Sequence, residues 1–165
     1  MPVARLVSIY VAPAAGAPVV PVDHADALAG RGLAGDRYAA GAGSFSRWPG
    51  KGRALTLISA EDLADSEAAF GVAMAHGEHR RNLVVSGLDL RTLLGGTFQI
   101  GTATFRGERL CAPCKYLVRV TGQAAAFDAL VGRGGIRAEV VGSGRIALGD
   151  AVVPVGEARP RHLPG

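Results

Sequence analysis

Thr97-Phe98-Gln99-Ile100-Gly101-Thr102-Ala103-Thr104-Phe105 reads as two short strands, 97–100 and 102–105, joined by a turn at Gly101. Similar runs recur on both sides. Residues 3–11 carry Val3, Leu6, Val7, Ile9 and Val11, residues 53–59 read as a strand, and Leu83-Val84-Val85 is a third, stopped by Gly87. Residues 136–141 and 151–155 follow, separated by Gly142-Ser143-Gly144 and Gly149-Asp150. Helical signals are fewer. Ser59 followed by Glu61 and Asp62 supplies an N-cap and an acidic first turn for a helix through about Phe70. Residues 88–94 suggest a helical turn, and the Ala-rich 123–131 a further helix. The predicted fold is mainly β, with two or three short helices inserted, and a closed or nearly closed barrel would remove the exposed edges of so many short strands.

Composition agrees with that reading. The chain has 165 residues, 48% hydrophobic and 19% charged, which excludes a disordered chain. Its 24 glycines suit turns between short strands and argue against a helix bundle. A single domain over 1–156 with a frayed tail at 157–165 is expected. The net charge of +4 favours anionic ligands, but there is no Lys/Arg run, and at 5% aromatics a stacking platform for single strands is not expected, so nucleic acid is not expected as a partner. Nor is a membrane, because no apolar run is long enough to span one. The N-terminus lacks a signal-peptide layout and the two cysteines are too close to staple distant loops, which points to a cytoplasmic, reducing compartment.

Those cysteines form the sharpest local feature, Arg109-Leu110-Cys111-Ala112-Pro113-Cys114-Lys115. The Cys-x-x-Cys spacing lets two sulfurs approach each other or share one metal. Cations at Arg109, Lys115 and Arg119 would favour thiolate, which can act as nucleophile, redox partner or soft metal ligand. Simple burial of two small apolar side chains is the competing reading. A structural zinc site lacks a second cysteine pair, with His76 and His79 at an unusual upstream spacing. A thioredoxin-like site wants a helix after the pair, whereas Tyr116-Leu117-Val118-Arg119-Val120 has β-rich composition. Arg80-Arg81-Asn82 before a strand matches a phosphate or another multi-oxygen anion, against the commoner solvated turn. In Gly35-Asp36-Arg37-Tyr38, Asp36 either orients Arg37 or closes a turn. Dinucleotide, ATP, serine-hydrolase and zinc-protease motifs are absent from the sequence.

In their order along the chain, residues 32–38, 55–63, 80–90, 94–101, 109–114 and 134–150 resemble a MOSC domain, the C-terminal domain type of eukaryotic molybdenum cofactor sulfurases. The resemblance implies a β-barrel-like domain that binds the molybdenum cofactor (molybdopterin), an anionic pterin, or handles sulfur. The family's characteristic cysteine falls on Cys114, which would be the molybdenum ligand, as in the amidoxime-reducing relatives. Arg37, Arg80 and Arg81 would meet the cofactor's phosphate and pterin edges, with Asn82 as a hydrogen-bonding partner and Lys115 as a further binding candidate. The expected function is a small molybdenum-dependent reductase supplied by an electron-donor protein, or a cofactor carrier. The alternatives are a metal-free sulfur carrier, in which a cysteine desulfurase loads a Cys114 persulfide that Cys111 resolves, and a non-catalytic interaction module. Pyridoxal phosphate is not expected in this chain, which has no desulfurase domain. A homodimer that covers an exposed pocket is the expected oligomer.

Overall fold

The computed structural model describes residues 3–14, 16–37 and 55–155. Eleven strands among these form two sheets. The larger has the order β11-β7-β8-β9-β5-β6-β1-β2. Its strands are β1 (Arg5–Val11), β2 (Val20–Val22), β5 (Leu55–Ser59), β6 (Leu83–Ser86), β7 (Thr97–Ile100), β8 (Ala103–Leu110), β9 (Ile136–Gly142) and β11 (Val152–Val155). The smaller has the order β10-β3-β4, from β3 (His24–Leu28), β4 (Gly32–Leu33) and β10 (Gly144–Ala147).

All pairings are antiparallel except β5 with β6. A parallel pair needs a crossover, and α1 (Ala60–Phe70) provides it. Ser59 Oγ accepts the Asp62 amide at 3.0 Å, and Gly71 closes the helix at φ +64°. The hairpin at Gly101 is present, with Thr97 to Ile100 opposite Arg106 to Ala103. β8 then runs on to Leu110, so the cysteine segment leaves directly from a strand end.

The sheets are not closed into a barrel, which corrects the barrel expectation. The far ends of the large sheet approach each other where the start of β1 meets the residues leading into β11. Leu6 N donates to Asp150 O and Val152 N to Ala4 O, both at 2.9 Å, and Arg5 and Ala151 form an isolated bridge. No ladder extends that contact among the described residues. β1 instead pairs β2 along its second half, and β11 is short and contains Pro154, which has no amide to donate.

The pair β5–β6 is a wall buried on both faces. Leu55, Leu57, Leu83 and Val85 face a large core with Phe98, Phe105, Ile100 and Ile136. Ile58 and Val84 face a second core, closed by Tyr10, Leu63, Met74, Leu117 and Leu130. Residues 115–120 are helical, which corrects the β-rich reading. α2 (Lys115–Thr121) tucks Leu117 into the second core and ends at Gly122 in the left-handed conformation. α3 (Ala126–Ala129) is shorter than the span 123–131 suggested. The expected tail at 157–165 lies outside the described residues. Among the described residues, no helix is long and apolar enough to cross a membrane.

Candidate functional site

A cavity of about 220 Å³ opens between the large sheet and α2. Arg37, Arg80, Arg81 and Arg137 line it, together with Cys111, Cys114 and Tyr116. Four guanidinium side chains and two thiols around so small a space make a site for an anion with a soft, thiophilic component.

Each arginine is held by its own device. Arg37 follows β4, where the fully buried Asp36 accepts from both Ala12 N (2.9 Å) and Arg37 Nη1 (3.2 Å). Asp36 thus orients Arg37, and its second bond ties the chain to the distant Ala12 rather than closing a local turn. Arg80 has φ +60°, a left-handed backbone that a residue with a β-carbon adopts at a cost of about 1–2 kcal/mol. This tight turn lets Arg80 Nη1 reach Ala17 O at 2.7 Å. Arg81 is clamped by Nε to Gly134 O (2.9 Å) and by Nη1 to His79 O (3.1 Å). Its Nη2 is buried with no hydrogen-bond partner among the described residues. A buried guanidinium N–H left without an acceptor is costly, and an anion in the cavity would supply one.

His79 lies beneath this turn, fully buried, and its Nδ1 accepts the Arg81 amide at 2.8 Å. Burial first, and the neighbouring Arg81 charge second, push its pKa down to about 3. The imidazole is therefore neutral at physiological pH and does not compete with Arg81 for an anion.

The cysteine segment forms the opposite wall. Cys111 N donates to Gly135 O at 2.8 Å, and Cys111 itself is buried while Cys114 is partly exposed. The segment passes close over Gly134, where a Cβ would overlap the Cys111 carbonyl. Cys114 occupies the N-cap position of α2, so the pair follows a strand and precedes a helix. The context that the sequence argued against is present. Both thiols are free. Among the described residues no three of His, Cys, Asp and Glu gather to hold a metal ion.

Five of the residues singled out in the sequence, Arg37, Arg80, Arg81, Cys111 and Cys114, meet at this cavity. Asn82 and Lys115 do not line it. The Asn82 side chain is committed to the sheet: Oδ1 accepts from Thr56 N (3.1 Å) and Nδ2 donates to Tyr10 O (3.1 Å), joining β5, β6 and β1. Lys115 is exposed on α2, and Arg119 covers the Tyr116 ring at 5.7 Å. Sequence reasoning missed Arg137, Thr56 and Tyr116. Arg137 alone gave a signal, as a cation between Ile136 and Ala138 in an apolar strand beside two glycines.

The MOSC domain pattern matches residues 40–153. The chain belongs to the MOSC domain family. Solved structures that share the fold of this MOSC domain include the following three. The YuaD protein from Bacillus subtilis has a TM-score of 0.77 at 22% identity, over 94% of this chain and 98% of that one. YiiM from Geobacillus stearothermophilus gives 0.69 at 20% identity, over 93% of this chain and 75% of that one. YiiM from Escherichia coli gives 0.65 at 20% identity, over 93% and 70%. No curated protein matches the sequence. Related MOSC proteins bind the molybdenum cofactor.

Proposed function

We propose that this MOSC domain binds the molybdenum cofactor, with Cys114 as the metal ligand, and works as a small reductase or as a carrier of the cofactor. The observation that carries this reading is the cavity in which four arginines face the two cysteines, with the buried Arg81 Nη2 in want of an acceptor. The residues fit the group chemically: guanidiniums match the phosphate and the hydrogen-bonding pterin edge, and a thiolate matches a soft metal centre.

When bound, the cofactor supplies two-electron redox chemistry at the metal, with electrons delivered by an external donor protein. The chain's own residues do the rest. Arg37, Arg80, Arg81 and Arg137 hold the anionic part, and Asp36 and His79 fix the orientation of Arg37 and Arg81. Asn82 acts through the strands it joins, and Tyr116 and Leu117 exclude water from the inner wall. Burial of the arginines strengthens their grip on an anion relative to a surface cluster.

A second reading draws on the position of Cys111, buried on the same cavity as Cys114. A cysteine desulfurase would place a sulfane sulfur on Cys114. The Cys111 thiolate would then attack Cys114 Sγ and expel hydrosulfide, and the dithiol would end as a disulfide that an external thiol must reduce.

Native mass spectrometry of protein from a host that makes the cofactor separates the readings. The cofactor reading expects an adduct of the cofactor's mass, lost in Cys114→Ser. No such adduct, with one sulfur atom gained on Cys114 after incubation with a desulfurase and cysteine, would overturn it in favour of the carrier. Neither adduct, with both thiols inert to alkylation in the native protein, would leave an interaction module.

A further inference from the structure

Across the cysteine segment lies a second, larger cleft of about 720 Å³ that the cofactor reading does not use. Cys111, Ala112 and Pro113 line both spaces, so the same stretch of backbone separates them. The cleft's other walls are the start of α1, the loop from β6 into a 3-10 turn at Leu90–Leu93, and the loop between α3 and β9.

Its lining is apolar at the base and acidic at one wall. Leu90, Leu130 and Ile136 are buried beneath it, while Leu110 and Val131 stand 59% and 56% exposed at its rim. Large apolar side chains left open around a concave space are a recurrent feature of small-molecule sites. Among the described residues, the charged lining residues are Glu61, Asp62, Asp89 and Arg91, three acids against one base. Asp89 and Arg91 largely neutralise each other through a two-pronged pair at 3.0 and 2.8 Å. Glu61 Oε1 accepts the Gly87 amide at 2.8 Å, and Glu61 has no ion-pair partner among the described residues. The partly exposed Asp62 makes no side-chain hydrogen bond or ion pair among the described residues, although its charge is within reach of Arg91. The two spaces therefore have opposite polarity, four arginines on one side of the cysteine segment and a surplus of carboxylates on the other.

We propose that this cleft binds a small organic cation, a protonated amine carried on an apolar body, with the amine at Glu61 and Asp62 and the body against Leu110, Leu130, Val131 and Ile136. Charge complementarity selects this occupant over an anion, and the apolar base selects it over a bare metal ion or a polyamine. The site goes beyond the cofactor reading and does not rest on it, because its occupant meets the opposite wall of the segment.

The test is an amide NMR titration of the full chain with phenethylammonium, using phenylacetate as a probe of the same size and opposite charge. Saturable shifts are expected at Gly87, Val131 and Gly132, with the ammonium bound at least about fivefold more tightly than the carboxylate. Asp62→Asn should weaken it about threefold, whereas Arg91→Gln, which frees the Asp89 charge, should tighten it about threefold. A gain of affinity cannot come from misfolding, so the opposed signs keep the test interpretable. Equal binding of phenylacetate, shifts centred on Arg37, Arg81 and Arg137, no saturable shift, or indifference to both substitutions would each overturn the proposal. Cys114→Ser should leave the ammonium affinity unchanged, so loss of the cofactor reading and loss of this one are separate results.

Discussion

His79 is enclosed on every side, its ring edge-on to Tyr10 at 5.4 Å, and it carries the Arg81 backbone on Nδ1. Its depressed pKa makes this arrangement pH-sensitive. An exposed histidine in the unfolded chain titrates near ~6.5, while the native one does so at about 3. Between those values the unfolded state takes up a proton that the native state refuses. The stabilisation is thus complete above the unfolded value and is lost as pH falls toward the native one, by up to about 1.4 kcal/mol per pH unit. Urea unfolding from pH 7 to pH 4 should show a shallower loss of stability in His79→Asn than in the wild type. Equal slopes would contradict this. The backbone at Arg80 also explains why Asn82 parts company with its neighbours. The motif Arg80-Arg81-Asn82 looked like one anion site, but the backbone reversal at Arg80 sends the guanidiniums to the cavity and Asn82 falls in with β6. A positive φ at a non-glycine residue leaves no trace in local sequence.

At the scale of elements, the cap of α1, the hairpin at Gly101 and the strand at Leu83–Ser86 were legible because local chemistry decides them. α2 was not. Val118 and Val120 favour a strand by propensity, yet burying Leu117 against Ala126 and Leu130 makes the segment helical, a tertiary preference overriding a local one. The small sheet was missed for a related reason: β3 and β10 pair across more than a hundred residues, Ala27 with Gly144, and β4 is only two residues long among glycines. The element that controls the cavity is the Gly134-Gly135 turn. Gly134 offers its carbonyl to Arg81 and has no room for a Cβ beneath Cys111, and Gly135 (φ +81°) packs its Cα against the Leu57 carbonyl. Gly134→Ala should therefore displace the cysteine segment, costing about 1–3 kcal/mol in chemical denaturation. It should also raise the rate at which Cys111 is alkylated in the native protein. An unchanged rate and unchanged stability would mean that the turn does not hold the segment.

For the whole molecule, the wall β5–β6 belongs to both cores at once, Leu57 and Val85 to one and Ile58 and Val84 to the other. Neither core can dissolve without exposing the back of that wall, so the described body should unfold in one step. Far-ultraviolet and near-ultraviolet circular dichroism should give coincident urea transitions, and two separated midpoints would contradict the shared wall. That the chain is mainly β was legible from its short apolar runs and glycine content, and its MOSC family from the resemblance its segments carry in order. That the sheets remain open was not, because closure depends on where the two ends of the large sheet meet. The arginine and cysteine walls are proposed together to hold the molybdenum cofactor. This is tested most directly by molybdenum and released-pterin content per chain after expression in a cofactor-making host, compared among wild type, Arg81→Gln and Cys114→Ser. Both components should reach about one per chain in the wild type, both should fall in Arg81→Gln, and molybdenum should fall in Cys114→Ser. Neither component in the wild type, or contents indifferent to both substitutions, would contradict it.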